Sequence, residues 1–186
     1  MFETMQIPNV VLVSPRRHGD ERGWFVESYK TETYKQGGIR DDFVQDNHSL
    51  SAEVGVIRGL HFQKPPHAQA KLVRCTRGRL LDVAVDIRVG SPWYGKHVAV
   101  ELSADNGKQL YVPVGFAHGF CTLEPNTELQ YKVSDYYSPE CDSGIRFDDA
   151  DLGIAWPVSP AEAVMSDKDR RMPKLADLDS SFRYES

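Results

Sequence analysis

The 186-residue chain is 40% hydrophobic, which is enough apolar sequence for one buried core, so we expect a single domain over residues 1–186. Its formal net charge is −5, and its 22 basic residues are scattered along the chain without forming a run. Both features argue against nonspecific nucleic-acid binding. No apolar stretch approaches the roughly 20 residues that cross a bilayer, and the N-terminus lacks the basic flank of a signal peptide, so we expect a cytoplasmic protein that contacts no membrane.

The first predicted element is a short helix over residues 31–36, which ends at Gly37 and Gly38. From Phe43 to Val133 the sequence alternates between apolar and polar residues in strand-like runs, separated by glycine and proline. Beyond this region, a second short helix is predicted over 159–163, and residues 179–186 are polar enough to form a flexible tail. The pattern indicates a mainly β domain, a sandwich or barrel with short peripheral helices.

The clearest strand is predicted over 81–88. Its odd-numbered positions hold leucine, valine and isoleucine, whereas its even-numbered positions include Asp82 and Asp86. Because successive side chains in a strand point to opposite faces, the two faces differ in chemistry and not only in exposure. Further strands are predicted over 98–102, 109–112 and 129–133.

Arg58, His61 and Lys71 are bracketed by apolar, strand-like sequence. Removing such groups from water is costly unless a partner or a ligand compensates. We therefore interpret this region as the wall of a pocket and not as a solvated face.

A second histidine, His118, lies among small and aromatic residues, and two histidines in a small β domain raise the hypothesis of a metal site. Such a site usually includes a His-x-His pair, which is missing at His61, and a protonated Lys71 would repel a divalent cation. We therefore expect no metal. For each histidine the alternative is a structural hydrogen bond in the core.

His61 is better interpreted as a proton acceptor, because an imidazole can be neutral at working pH and cationic after it takes a proton. Such a base needs a carboxylate to orient it, and sequence spacing leaves four candidates open: Asp82, Asp86, Asp167 and Asp169. Tyr131 shares a predicted strand face with Leu129 and Val133, so its hydroxyl points into the core or a cavity. There it would act as a structural hydrogen-bonding group or as a general acid.

Arg22 and Arg58 are candidates to anchor phosphate, with neutral hydrogen bonds from Gln45 and Asn47 on one strand face. The sequence contains no glycine-rich phosphate loop, so side chains in a β cleft would have to bind a phosphate group. A surface role is the alternative for each residue taken singly. Together they indicate an anionic ligand beside acid–base chemistry.

Motifs that match a known family run through the chain, at residues 19–25, 43–49, 58–63, 71–74, 82–88, 111–120, 131–132, 154–157 and 166–169. With these motifs the chain resembles the dTDP-4-dehydrorhamnose 3,5-epimerase family. The resemblance implies a double-stranded β-helix, the cupin or jelly-roll barrel. It also implies a homodimer that inverts C3 and C5 of a dTDP-sugar, dTDP-4-keto-6-deoxy-D-glucose, without a cofactor.

The resemblance further implies a role for each candidate site residue. His61 would be the base, oriented by Asp169, and Tyr131 would be the acid on the opposite face of the sugar. Lys71 and His118 would stabilise the enolate. The remaining matches are substrate-binding positions: Arg22, Glu27, Gln45, Asn47 and Arg58 for the nucleotide and its phosphates, and Phe25 and Tyr136 near the sugar and the thymine.

Two positions depart from the family pattern. Trp93 stands where relatives commonly have threonine, and Phe147 stands where they commonly have tryptophan. Relatives that invert only one of the two carbons share the same catalytic residues. A single-site epimerase therefore stays open as an alternative, together with a metal-binding cupin.

Overall fold

The computed structural model describes residues 1–185, which form thirteen β-strands and two short α-helices. The strands are β1 (Phe2–Thr4), β2 (Val11–Val13), β3 (Arg17–Asp20), β4 (Gly23–Val26), β5 (Gln45–Ser51), β6 (Ile57–Gln63), β7 (Lys71–Arg77), β8 (Arg79–Asp86), β9 (His97–Ser103), β10 (Gln109–Val112), β11 (Phe116–Thr122), β12 (Thr127–Val133) and β13 (Asp142–Gly144). The helices are α1 (Thr31–Gln36) and α2 (Asp167–Arg170), with 3₁₀ turns at Ala150–Leu152 and Leu175–Asp177. Within this part of the chain no helix is both long and apolar enough to cross a membrane.

Two antiparallel sheets face each other. The six-stranded sheet has the order β1-β2-β10-β7-β12-β5, and the five-stranded sheet has the order β13-β6-β11-β8-β9. Consecutive strands alternate between the sheets from β5 to β8 and again from β9 to β13. This winding is that of a double-stranded β-helix, so the predicted mainly β fold with short peripheral helices is confirmed. Strands β3 and β4 form a separate hairpin.

Apolar side chains from both sheets fill one end of the space between them, among them Val73, Leu110 and Leu129 from one sheet and Leu80, Val98 and Phe120 from the other. A second core lies on the outer face of the five-stranded sheet, where Val83 and Val85 pack under Ile145 and Phe182 from the C-terminal part of the chain. Strand β8 therefore has two buried faces of different chemistry, as its sequence predicts. Its inner face carries the fully buried Asp82.

The predicted helix at Thr31–Gln36 is confirmed, whereas the predicted second helix is wrong. Ser159 does begin a capping interaction, because its amide and its hydroxyl both donate to the Glu162 carboxylate, at 3.1 and 2.6 Å. After this single turn the chain straightens, and Val164 forms a parallel bridge with Val56 beside β6. Pairing at the sheet edge therefore outweighs the local helical signal.

The flexible tail predicted over 179–186 is wrong for residues 179–185, while Ser186 lies outside the described residues. The Ser180 hydroxyl donates to a backbone carbonyl just after β8, at 2.6 Å. Phe182 is only 7% exposed and belongs to the outer core. The polar composition of this segment gives no sign that Phe182 packs in the outer core or that Tyr184 packs against Trp93.

Replacing Phe182 with alanine tests this attachment. We expect the free energy of unfolding to fall by about 3 kcal/mol, because the substitution removes a buried aromatic side chain and leaves a cavity. Urea denaturation measures the change, and Arg183→Ala at the exposed neighbouring position is the matched control. If Phe182→Ala were as stable as the control, the tail would not be packed.

Candidate active site

A histidine and an aspartate from distant parts of the chain form a hydrogen-bonded pair. His61 projects from β6, and its Nε2 lies 2.8 Å from Oδ1 of Asp169 in α2. Burial alone would raise the pKa of the Asp169 carboxyl, but the His61 ring and the Gly59 amide, which donates from 3.3 Å, lower that pKa below its ordinary value. The carboxylate is therefore ionised at neutral pH and can orient the imidazole.

The structure assigns each histidine of the site one acid. Asp169 contacts His61, while Asp82 pairs with His118, whose Nε2 lies 2.9 and 3.1 Å from the two Asp82 oxygens. The other two candidate acids, Asp86 and Asp167, contact neither histidine, since Asp86 is ion-paired elsewhere and Asp167 is exposed. Sequence reasoning missed the His118–Asp82 pair, although strand parity does place Asp82 on the inner face of β8.

A cavity of about 580 Å³ opens between the two sheets beside these pairs. His61 and His118 line it from the five-stranded sheet, and Lys71 and Tyr131 line it from the six-stranded sheet. A smaller cavity of about 270 Å³ shares His61, Lys71 and Tyr131. The imidazole of His61 and the phenol of Tyr131 therefore stand on opposite walls of one space.

The wall formed by the six-stranded sheet supplies a buried cation and a neutral proton donor. Burial lowers the pKa of Lys71 to about 8, and the charges of Asp142 and Asp82 oppose this change. The Lys71 Nζ donates to the backbone oxygen of His61 at 3.3 Å. Burial raises the pKa of Tyr131, so its phenol keeps its proton at neutral pH.

Two glycines allow the strands that carry the histidines to approach closely. His118 of β11 lies opposite His61 of β6 in the strand register. A Cβ atom on Gly119 would lie 2.7 Å from the backbone oxygen of Arg58, and one on Gly59 would lie 2.5 Å from the Cα of Gly119. Gly59 also has a φ of 123°, a conformation that other residues rarely adopt. Glycine at these positions is therefore required by the close approach.

Three of the predicted substrate-binding residues line the cavities. Gln45 and Asn47 line the smaller cavity, where the Gln45 amide donates to Asn47 at 2.9 Å. Arg58 lines the larger cavity and donates to the Ser51 hydroxyl at 3.2 Å. Tyr136 is 64% exposed and lies in the loop between β12 and β13. The first three side chains are in position to meet a ligand in the cavities.

Comparison with known proteins decides the family. A sequence model of the dTDP-4-dehydrorhamnose 3,5-epimerase family matches residues 4–177. The chain belongs to this family. A curated relative from Sinorhizobium fredii, named dTDP-4-dehydrorhamnose 3,5-epimerase, is 52% identical over 98% of this chain and 93% of its own length. The family resemblance seen in the sequence is confirmed.

Solved structures of two 3,5-epimerases of dTDP-sugars share the fold over almost their full length. The enzyme from Bacillus anthracis, solved with TDP and PPi bound, has a TM-score of 0.89 and 48% identity, and the match covers 94% of this chain and 99% of that one. The enzyme from Legionella pneumophila, solved with dTDP-4-keto-L-rhamnose, has a TM-score of 0.94 and 42% identity over 100% of this chain and 99% of that one.

In this member of the epimerase family, the hairpin of β3 and β4 holds three predicted binding residues away from the cavities. The Arg22 side chain is 86% exposed and pairs with Asp20 at 2.5 Å. Phe25 is 71% exposed, and Glu27, just after β4, is exposed as well. None of the three lines either cavity. A single chain therefore does not bring these residues to the predicted site.

The cavities also contain a polar group of residues that sequence reasoning missed. Asp142 of β13 accepts a hydrogen bond from the Tyr137 hydroxyl at 3.1 Å and forms an ion pair with Lys168 of α2. Lys168 lies within the 166–169 motif, but no pattern in the sequence around Asp142 marks it as part of a site.

The two departures from the family pattern, Trp93 and Phe147, line neither cavity. The Trp93 ring packs against the Tyr184 ring, and the Phe147 ring packs against the Trp156 ring. Both contacts lie outside the site. Among residues 1–185, no three histidine, cysteine or carboxylate side chains converge as a group that would hold a metal ion.

The close approach of the strands predicts that Gly119→Ala is destabilising. The new methyl group would lie 2.7 Å from a backbone oxygen of β6, so one strand has to move, and we expect a loss of about 2 kcal/mol. Gly19→Ala is the matched control, since a Cβ there meets its nearest atom at 3.6 Å in an exposed hairpin. Chemical denaturation compares the two variants, and equal stabilities would contradict the tight contact.

Proposed function

We propose that this protein inverts C3 and C5 of dTDP-4-keto-6-deoxy-D-glucose to give dTDP-4-keto-L-rhamnose, in the synthesis of a dTDP-linked deoxysugar. The observation that carries the proposal is the placement of His61 and Tyr131 on opposite walls of one cavity, with the buried Lys71 beside them. Family membership supports the same reaction, since the relatives compared above are named for it.

The proposed reaction proceeds by removal and return of protons. The C4 ketone acidifies the hydrogens at C3 and C5, so His61 can take one of them as a proton while the C–H electron pair moves into the C4 carbonyl group. The Asp169 carboxylate holds the imidazolium that forms. Tyr131 then gives a proton to the same carbon from the opposite side. The enolate electron pair forms the new C–H bond, so the carbon loses one proton and gains one, and the step needs no nicotinamide. His61 and Tyr131 then recover their protonation states by exchange with solvent.

The enolate oxygen that forms needs a positive partner. Lys71 is the cation of the inner wall, and we assign it to the C4 oxygen together with His118. Asp82 supports this assignment, because its bond to Nε2 of His118 fixes which ring nitrogen faces the cavity. A donor already in place when charge develops stabilises the transition state more than the ketone.

Substrate binding is assigned to the rim of the cavities. Arg58 is proposed to bind the diphosphate, because it lines the larger cavity and is exposed to solvent. Gln45 and Asn47 supply neutral hydrogen bonds from the smaller cavity, and the exposed ring of Tyr136 is proposed to contact the thymine.

We propose a homodimer in which the hairpin of each chain completes the site of its partner. The hairpin exposes Arg22, Phe25 and Glu27 and keeps them out of its own cavities, although the family resemblance assigns all three to substrate binding. The hairpin exposes two neighbouring aromatic side chains, Trp24 at 59% and Phe25 at 71%, and a second copy would cover them.

Solvent isotope exchange tests the reaction. In D₂O, deuterium is expected to enter both C3 and C5 of the sugar, and His61→Ala is expected to abolish exchange at both carbons, because the base is lost. Tyr131→Phe is expected to keep exchange from the His61 side while inversion falls by about 10²-fold or more. NMR of the sugar resolves label and stereochemistry in one sample.

The control for this experiment is His48→Ala, since His48 lies on the outer side of β5 and pairs with Glu128 at 3.1 Å. This variant is expected to exchange like the wild type. Label at neither carbon in the wild type would contradict the proposed function. Label at only one carbon would show that the protein is a single-site epimerase, and the proposal of inversion at both carbons would be wrong.

The pH dependence of kcat/KM tests the role of Lys71. A lysine with a pKa lowered to about 8 loses its charge as the pH rises through that value. We therefore expect kcat/KM to fall about tenfold per pH unit above it, because the enolate loses its cation. Tyr131 cannot cause this fall, since its raised pKa keeps the phenol protonated.

Lys71→Arg separates the charge of this residue from its shape. A guanidinium stays protonated throughout this pH range, so the fall above about pH 8 should disappear, while the plateau drops because the planar group fits the pocket less well. Lys132→Arg, at a half-exposed position on the outer face, is the matched control. An unchanged alkaline fall in Lys71→Arg would remove Lys71 from the proposed chemistry.

A further inference from the structure

The smaller cavity contains a carboxylate, that of Asp142, to which the proposed reaction assigns no role. Asp142 begins β13 and lies opposite Gln63 of β6 in the strand register. Its side chain is 14% exposed, and one oxygen, Oδ2, accepts hydrogen bonds from both Tyr137 and Lys168. It lines the cavity together with Lys71. This carboxylate is therefore held rigidly beside the reacting groups.

Lys71 is a buried ammonium group without a direct ion pair. It is 9% exposed, and within residues 1–185 no carboxylate oxygen lies within 4.0 Å of its Nζ. Its hydrogen bond goes to a neutral backbone oxygen, that of His61. A desolvated cation in such a position loses its proton readily unless negative charge nearby compensates for the burial.

The compensating charge can be narrowed to one residue. Three acidic residues line the cavities, namely the exposed Glu53 between β5 and β6, Asp142 of β13 and Asp169 of α2, while Asp82 of β8 is fully buried beside His118. Besides Lys71, the other titratable groups that line the cavities are His61 and Arg58 of β6, His118 of β11, Tyr131 of β12, Tyr137 before β13 and Lys168 of α2. Asp82 and Asp169 are each engaged by a histidine. Two acids, Asp142 and Asp82, counteract the lowering of the Lys71 pKa by burial, and Asp142 has the larger effect of the two.

We propose that Asp142 is a positioning residue that keeps the Lys71 ammonium charged across the cavity, so that this cation is available to the C4 enolate. Tyr137 and Lys168 hold the carboxylate in place from the loop before β13 and from α2. Lys168 also carries a positive charge that partly cancels the charge of Asp142. The catalytic consequence rests on the proposed function, whereas the electrostatic relation between the two residues does not.

Two substitutions should therefore move the titration of Lys71 in opposite directions. Asp142→Asn keeps the size of the side chain and an oxygen acceptor but removes the charge, so the Lys71 midpoint is expected to fall by roughly half a pH unit to one unit. Lys168→Met removes the cancelling cation and keeps the Asp142 charge, so the midpoint is expected to rise. A merely structural role of the ion pair would give the same effect in both variants.

The experiment is an NMR titration of protein labelled at the lysine side chains, with the Lys71 signal assigned by its absence in Lys71→Met. The wild-type midpoint is expected near 8. Asp46→Asn is the matched control, because Asp46 forms a similar ion pair with Lys132 outside the cavities, and this variant should leave the midpoint in place. In parallel, the alkaline fall of kcat/KM in each variant should follow its NMR midpoint.

Each outcome of the titration decides the inference. An unchanged midpoint in Asp142→Asn, or a fall in Lys168→Met, overturns it, and the second variant gives an answer even if the first does not fold. If the midpoints move as expected while the wild type shows no isotope exchange, the charge relation holds and the proposed function fails. If exchange is present and the midpoints do not move, the proposed function stands and the inference fails.

Discussion

The hydrogen bond between His61 and Asp169 joins residues that are 108 positions apart, and the geometry of the site depends on it. Asp169 can reach the imidazole only because the C-terminal part of the chain packs on the outer face of the five-stranded sheet, in the core that includes Val85, Ile145 and Phe182. The packing that stabilises this segment therefore also brings the carboxylate to the base. A change that disrupts the outer core is therefore also expected to disturb the site.

Sequence pattern predicted the strands between Phe43 and Val133, but it predicted neither the short strands outside that region, β1 to β4 and β13, nor the contacts of the C-terminal part. Alternation over 81–88 predicts both faces of β8, since period and burial agree there. The missed segment at Ser159 and the missed attachment of Phe182 share a cause, because each adopts its structure through contact with a sheet that lies far away along the chain. Local propensity contains no information about such contacts.

The same limit applies to the candidate site. Spacing could not choose Asp169 from four acids, because the docking of α2 decides which acid meets His61, and only the family motif pointed to it. Asp142 carries no sequence signal, since its importance comes from the cavity it faces. For Arg22 the sequence indicated a binding residue, but one chain leaves it exposed. In the proposed homodimer, Arg22 would instead reach the site of the other copy.

The fold itself suits a reaction that inverts a carbon atom. Inversion needs proton carriers on both sides of the substrate, and one surface of a sheet would offer them on one side only. Two facing sheets supply two walls, so His61 on β6 and Tyr131 on β12 oppose each other without any special loop. Closing the other end of the same space with apolar side chains such as Leu110 and Leu129 lowers the dielectric around Lys71. The apolar end of the barrel thus makes the charge of that lysine sensitive to its surroundings, and this sensitivity gives a neighbouring carboxylate control over the site.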